Sequence, residues 1–354
     1  MGFYSSHRVE KNIQFLYDSY MLPVDVICVG DAKLDIFLTI DENNTHVKLD
    51  NNTRELRFGH GEKIEVKKMN LSVGGNAANV AVGVSRLGLK SSLVAEIGED
   101  EFSQKIINSL TQENVDLELV KQIANEDSSI TVGINFKGDR TLFTEHVQRE
   151  HEFDFGEKTA KVIYLTSLGH IWEKAYEKTL DFTEKNNIKL IFNPGTFQIE
   201  KRNSIIWHII SKSDVLFVNK EEAEELLYGK EINLSINSQN YVKKLLYGLK
   251  SLGAKIVVIT DGNAGSFAMD GTHNAYQLGI IPCEVVEKTG AGDAYTSGFI
   301  SAILNGENIE EAMRWGAFNS SAVIGEIGAE KGLLTKEEIL KKLKLNRDFK
   351  AKEI

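Results

Sequence analysis

Residues 286–295 read Val286-Glu287-Lys288-Thr289-Gly290-Ala291-Gly292-Asp293-Ala294-Tyr295. The small residues Gly290, Ala291 and Gly292 leave their backbone N–H groups uncovered, so these groups can surround an anion at the start of a helix. Asp293 falls in the first turn of that helix, where its carboxylate could accept a proton from an attacking hydroxyl. The stretch therefore indicates phosphoryl transfer, although a glycine-rich turn with a capping aspartate would have the same sequence.

The rest of the chain predicts a doubly wound α/β domain. The first strand is the β-branched run Val24–Val29, and a second lies at 92–97. Further strand-like runs that alternate with helical segments lie at 162–165, 189–192, 214–218 and 255–260. This alternation predicts a mostly parallel sheet with helices on both faces and ligands at the carboxyl ends of its strands. We expect an extension at 1–23, the domain at 24–345 and a tail at 346–354.

Two polar segments with alternating apolar residues interrupt this pattern, at about 37–69 and 128–148. They predict short strands that pair into a small β lid over a ligand, or else plain solvated hairpins. Asp35 lies just before the first segment, near the end of a predicted core strand. It is a candidate substrate ligand, and a turn aspartate is the alternative.

A second glycine-rich element, Gly74-Gly75-Asn76-Ala77-Ala78-Asn79, opens a helix of small residues that ends near Gly88. Paired glycines allow a ligand to approach the backbone, and amide side chains match the hydroxyls of a sugar. The order of the glycines does not fit the dinucleotide-binding pattern G-x-G-x-x-G.

The composition restricts the class of protein. The chain has 354 residues, 42% of them hydrophobic and 26% charged, and a formal net charge of −10. The negative charge argues against a nucleic-acid partner, and no apolar run is long enough to cross a membrane. Cys28 and Cys283 lie in apolar stretches without the spacing of a disulfide framework or a metal site. We expect a cytoplasmic protein.

Together these elements resemble the ribokinase family, also called the pfkB carbohydrate kinases, over about residues 24–340. Gly74–Asn79 is similar to the N-terminal signature of the family, and Thr289–Asp293 to its C-terminal signature. Asn219-Lys220-Glu221-Glu222 resembles the N-x-x-E element, and 260–265 resembles the nucleotide-contacting loop. The resemblance implies a ribokinase-like fold with a small β lid.

The resemblance also implies an activity, namely transfer of the γ-phosphate of ATP to a sugar hydroxyl. Asp293 would be the general base, and the amides of Gly290, Ala291 and Gly292 would form the anion hole. The implied substrate contacts are Asp35, Lys33, Gly74, Gly75 and Asn79. The implied nucleotide contacts are Asn219, Thr260, Gly262, Gly265 and, near the adenine, Asn319. Glu222 would bind Mg²⁺ through water. Without the resemblance, Asn219 and Glu222 would be interpreted as a helix cap. The lid would form a homodimer contact.

Two positions depart from the family pattern. The family usually has Asp-Thr where Glu287-Lys288 stands, beside a site that commonly binds a monovalent cation. Our hypothesis is that the Lys288 ammonium replaces that cation, and a solvent-exposed lysine is the alternative.

The second departure is on the substrate side. Ribokinase has asparagine at the position of Lys33 and a glutamate near Ser167, so ribose is not the expected substrate. Lys33 either meets a negative group on the substrate or pairs with Asp31 or Asp35.

Two other functions share these motifs. A nucleoside kinase would need an aromatic base pocket, for which Phe58, Phe136 and Phe143 of the lid are available. A non-catalytic sugar or nucleotide sensor would keep the fold without turnover, although the intact Asp293 weighs against it.

Overall fold

The computed structural model describes residues 23–229 and 239–354. The described strands, numbered in chain order, are β1 Val24–Val29, β2 Lys33–Thr39, β3 Val47–Asp50, β4 Glu55–Phe58, β5 Lys68–Gly74, β6 Ser91–Gly98, β7 Val120–Ile123, β8 Ile130–Phe136, β9 Asp139–Glu145, β10 Ala160–Thr166, β11 Lys189–Asn193, β12 Val215–Asn219, β13 Ile256–Thr260, β14 Ser266–Met269, β15 Ala275–Leu278 and β16 Lys352–Glu353. The described helices are α1 Asn76–Arg86, α2 Glu101–Gln112, α3 Glu173–Asn186, α4 Thr196–Lys201, α5 Ser204–Lys212, α6 Lys220–Tyr228, α7 Gln239–Ser251, α8 Ala291–Leu304, α9 Ile309–Ile324 and α10 Lys336–Leu345.

The core is a ten-stranded sheet in the order β16-β15-β14-β13-β12-β11-β10-β1-β6-β7. All neighbours from β7 to β13 pair in parallel, as the sequence predicted, and β14, β15 and β16 complete one edge in antiparallel pairing. Successive residues of a strand alternate between two cores: Cys28 packs with Phe299 and Trp315 on one face, and Ile27 packs with Tyr176 on the other. Burial on both faces explains why these strands are continuous apolar runs.

The two predicted lid segments do form one sheet. Its order is β5-β2-β8-β9, and β3 and β4 add a hairpin beside it. The lid strands extend beyond the predicted segments, because β2 begins at Lys33 and β5 ends at Gly74. Asp35 therefore belongs to the lid, opposite Ser72 on β5, and does not follow a core strand directly.

The lid sheet turns its more polar face toward the core and its apolar face toward water, which is the reverse of most surface sheets. Thr131 and Arg140 lie on the same face of the sheet as Asp35, which is the face toward the core of the domain. The opposite face carries apolar residues: Met69 is 57% exposed and Phe143 is 56% exposed. An apolar face in water is a typical mark of an interaction surface.

The predicted tail at 346–354 is an integral part of the domain. Strand β16 pairs with β15, and the Phe349 ring lies 5.7 Å from that of Phe318 in the core. Residues 1–22 of the predicted extension lie outside the described residues. None of the helices that the structure describes is long and apolar enough to cross a membrane.

Candidate active site

Helix α8 begins at the TGAGD stretch. Its N-cap, Gly290, has φ = 76°, and a Cβ at this position would overlap Ala329, so only glycine fits. The N–H groups of Gly292 and Asp293 lie in the first turn, where no carbonyl of the helix can accept from them. The Ala291 N–H is already directed at the Lys288 carbonyl oxygen, 3.3 Å away. The helix start thus offers amide donors to an anion, with Ala291 the least available of the predicted set.

Asp293 lies in the cleft between the start of α8 and the lid, near enough to the lid residues Lys33 and Asp35 for their charges to shift its pKa. Its side chain is buried, and its Oδ2 accepts a hydrogen bond of 2.7 Å from the Asn79 amide on α1. Burial raises the pKa of Asp293 to about 7, with a smaller increase from the charge of Asp35; the Asn79 hydrogen bond and the positive charge of Lys33 act in the opposite direction. A carboxylate with a pKa near neutrality is well matched to general-base work.

The substrate side of the cleft holds acceptors without partners. Asp35 Oδ1 and Asn79 Oδ1 are both buried, and neither has a hydrogen-bond partner among the described residues. Burial also raises the pKa of Asp35, to about 6, against the positive charge of Lys33. Because a buried acceptor without a partner is costly, these oxygens favour a bound molecule that donates hydroxyls. A Cβ on Gly74 would overlap the Asp35 carboxylate, so the first glycine of the pair allows this arrangement.

Two adjoining cavities lie on the other side of Asp293. The larger, about 560 Å³, is lined by the predicted nucleotide residues Thr260, Gly262 and Gly265 and by apolar side chains that include Ile281 and Ile324. The smaller, about 230 Å³, is lined by residues that include Asn193, Asn219, Glu222, Thr260 and Asp293. Gly292 lines both. A flat apolar group in the first cavity and an anion in the second would thus form one continuous ligand that ends at Asp293.

Asn219 and Glu222 form a helix cap and also line the smaller cavity. The Asn219 side chain accepts from the Glu222 N–H at 2.8 Å, and Glu222 Oε2 accepts from the Asn219 N–H at 2.9 Å. Glu222 Oε1 accepts from the Thr196 hydroxyl, and burial raises the pKa of the Glu222 carboxyl. No group of three His, Cys, Asp or Glu side chains in the described ranges could hold a metal ion directly. Both Glu222 oxygens accept hydrogen bonds within the protein, and the residue lines the smaller cavity.

Asn319, the predicted adenine contact, does not line the larger cavity, where most of the other predicted nucleotide residues lie. Its side chain is fully buried, donates to the Ala294 carbonyl (2.9 Å) and to Ser297 Oγ (3.1 Å), and accepts from the Leu334 N–H (2.9 Å). Asn319 joins α8, α9 and the loop before α10. Other residues of α9, such as Ala317 and Ser321, line the nucleotide cavity instead.

Residues 38–336 match the model of the pfkB family carbohydrate kinases. The chain belongs to this family.

Curated relatives of this pfkB-family kinase cover most of its length. It is 24% identical to the ATP-dependent 6-phosphofructokinase of Thermoanaerobacterium thermosaccharolyticum, over 86% of this chain and 92% of that protein. It is 26% identical to a 5-dehydro-2-deoxygluconokinase of Bacillus cereus, over 90% of this chain and 94% of that protein. The chain is therefore a phosphotransferase with an alcohol group as acceptor, of the sugar-kinase type.

Solved structures show the ribokinase-like fold. The ribokinase of Arabidopsis thaliana, solved with ribose and ATP, superposes with a TM-score of 0.74 at 22% identity and covers 91% of this chain and 99% of its own. A nucleoside kinase of Methanocaldococcus jannaschii gives a TM-score of 0.70 at 20% identity, over 92% and 100%. The chain thus has the ribokinase-like α/β fold.

Sequence reasoning missed two side chains that lie between the lid and the core of this kinase. His146 lies with its Nδ1 3.5 Å from Asp31 Oδ2 and packs against His170, and Arg140 points inward from β9. Arg140 stood in a stretch that predicted only a hairpin turn. The sequence did contain one sign of this: Arg140 and the apolar Phe143 fall on opposite faces of β9. Which of the two faces is turned inward follows only from the register of the sheet.

Proposed function

We propose that this protein transfers the γ-phosphate of ATP to a hydroxyl of a negatively charged sugar derivative, with Asp293 as general base. The observation that carries the proposal is the position of Asp293. It is a buried carboxylate with a pKa of about 7, between a nucleotide-sized cavity and a cleft with unpaired buried acceptors. A base at that junction can take the proton of a hydroxyl in line with a phosphate on the other side.

The remaining groups of the site divide the other tasks. Asp35 Oδ1 and Asn79 Oδ1 accept hydroxyl groups of the sugar and so orient it. The amides at the start of α8, chiefly those of Gly292 and Asp293, bind the phosphate oxygens as negative charge shifts toward the leaving group. Bound Mg²⁺ would neutralise part of the phosphate charge, and Glu222 and Asn219 would hold its water shell.

The negative charge of the substrate is inferred from Lys33. Lys33 lies on β2 next to Asp35, and its charge lowers the pKa of both Asp35 and Asp293. Within the described residues Lys33 has no salt-bridge partner, since Asp31 lies beside His146 instead. An ammonium that is not held in a salt bridge is available to a carboxylate or phosphate on the ligand. The names of the two curated relatives, a deoxygluconokinase and a 6-phosphofructokinase, agree with a substrate of this class.

The positions of the lid aromatic rings do not favour the nucleoside-kinase alternative. Phe136 is buried in the small core between the lid and the β3–β4 hairpin. Phe143 lies on the outer face of the lid, opposite to the face that carries Asp35. Phe58 lies on the β3–β4 hairpin and is 40% exposed. The three rings are thus in three different places, which supports a sugar rather than a nucleoside as the substrate.

We also propose that the outer face of the lid forms a homodimer. Met69 and Leu71 of β5, which pair with Leu38 and Ile36 of β2, continue across the sheet to Val132 and Phe143. Exposure of so many apolar side chains on one face is best relieved by a second copy of the same face.

The test is ADP release from ATP with a panel of neutral sugars, sugar acids, sugar phosphates and nucleosides. We expect turnover of an acidic or phosphorylated sugar, loss of turnover in Asp293→Asn, and a kcat/KM of the wild-type protein that falls below pH 7 as the base becomes protonated. Lys33→Met should raise the KM for the charged sugar without changing that for ATP. Turnover in Asp293→Asn at the wild-type rate would refute the mechanism. A neutral sugar as the best substrate would refute only the charge assignment.

A further inference from the structure

A charged pair connects the lid with the loop that precedes the candidate anion hole. Arg140, on the inner face of β9, places its Nε 3.7 Å from Oε1 of Glu287. Glu287 is only 5% exposed. Both atoms are buried and neither has a hydrogen-bond partner within the described ranges, so each is the main compensation for the other.

Glu287 in turn holds two loops together. Its Oε2 accepts a buried hydrogen bond of 2.9 Å from the N–H of Gly328. The next residue, Ala329, packs directly against Gly290, the N-cap of α8. The carboxylate thus connects the loop before α8 with the loop that packs against Gly290. The conformation of Gly290 in turn places the amides of the first helical turn.

The lid and the loop before α8 face each other across a cavity of about 180 Å³, which Thr39, Arg140 and Glu287 help to line. If the lid moves away from the core, the Glu287 carboxylate loses the Arg140 charge and, among the described residues, keeps the Gly328 N–H as its hydrogen-bond partner. The position of the lid and the shape of the loop before α8 are therefore energetically linked. Lys288, to which the sequence hypothesis gave the positive charge of this region, is exposed and lines the nucleotide cavity, and its role in place of a cation stays a prediction.

We propose that Arg140 is a positioning residue for phosphoryl transfer: through Glu287 it holds the anion-hole loop in its active shape when the lid is closed. This inference rests on the proposed function, since it assigns the phosphate to the start of α8. In this proposal Arg140 contacts neither the sugar hydroxyl nor the transferred phosphate. Its effect should therefore fall on kcat rather than on the binding of the nucleotide.

The experiment compares Arg140→Gln with a matched control, Arg54→Gln. Arg54 is also a lid arginine in an ion pair, at 2.9 Å from Asp139, but its side chain is 80% exposed. We expect Arg140→Gln to lower kcat by about 10- to 100-fold with the KM for ATP nearly unchanged, because a small displacement of a catalytic group has an effect of this order. Arg54→Gln should leave kcat within about twofold, as an exposed pair contributes little.

A second measurement does not depend on turnover. Amide hydrogen exchange of residues 286–292 should accelerate in Arg140→Gln and in Glu287→Gln but not in Arg54→Gln. Arg140→Lys should recover part of kcat, because it restores the positive charge. The double variant should lose no more activity than either single variant, since both remove the same interaction.

Unchanged exchange of residues 286–292 in Arg140→Gln would overturn the inference, whatever the kcat. So would a kcat equal to that of Arg54→Gln, or a change confined to the KM for the sugar, which would make Arg140 a substrate ligand. If the wild-type protein transfers phosphate to no sugar, the proposed function fails, and the exchange experiment still decides whether Arg140 holds the loop. Thermal unfolding of each variant separates these effects from a general loss of folding.

Discussion

Replacement of the proposed base should stabilise the fold while it abolishes activity. Burial raises the pKa of Asp293 from an ordinary value of 3.8 to about 7. The unfolded chain therefore releases this proton first as the pH rises, and the folded protein loses stability between about pH 4 and pH 7. At 1.36 kcal/mol for each pH unit of that interval, the loss amounts to at most ~4 kcal/mol and is complete above pH 7.

Asp293→Asn removes this cost and keeps an acceptor for the Asn79 amide. The variant should exceed the wild-type free energy of unfolding at pH 8 by up to ~4 kcal/mol, and by about 2 kcal/mol less at pH 5.5, where folded Asp293 is still protonated. Urea unfolding of both proteins without ligands, at the two pH values, measures this difference. Asp181→Asn, on the exposed side of α3, is the control and should show no such pH-dependent gain.

Two outcomes would refute the reasoning. The first is an equal difference in unfolding free energy at both pH values, which would mean that Asp293 titrates alike in the folded and unfolded chains. The second is an Asp293→Asn variant that is less stable than the wild-type protein at pH 8. A gain in stability with a loss of turnover would instead mark Asp293 as a residue kept for function at the expense of the fold.

Three further predictions concern the structure around the site. Gly290→Ala should lower kcat sharply and destabilise the fold by about 1–3 kcal/mol, because alanine at φ = 76° is strained and its Cβ overlaps Ala329; wild-type kinetics in this variant would contradict the assignment of the helix start. Asn319→Ala should lower the free energy of unfolding by about 2–4 kcal/mol through the loss of three buried hydrogen bonds, while the KM for ATP stays within about twofold; a selective rise in that KM would return Asn319 to the nucleotide site. Phe143→Glu should convert a dimer into a monomer in light scattering, because it places a charge on the outer face of the lid, and an unchanged mass would exclude this face as the dimer contact.

The sequence by itself determined the features that depend on local patterns. The β-branched runs predicted the parallel strands β10 to β13, since a strand that is buried on both faces must be apolar throughout. The Thr335-x-x-Glu338 pattern is that of a capping box, and the structure shows this box at the start of α10. The small residues from Gly290 to Gly292 predicted the helix start, because only residues without bulk leave its amides accessible.

The tertiary structure decided which side chains meet. The family resemblance placed Asn319 near the adenine, but from its position on α9 the side chain donates hydrogen bonds to Ala294 and Ser297 of α8. Residues 346–354 are polar and looked like a free tail, yet β16 completes the sheet edge through backbone hydrogen bonds that composition does not reveal. Arg140 and Glu287 are 147 positions apart in the numbering of the chain and form one buried pair. Such contacts depend on strand register and on the packing of distant elements, which local periodicity does not encode.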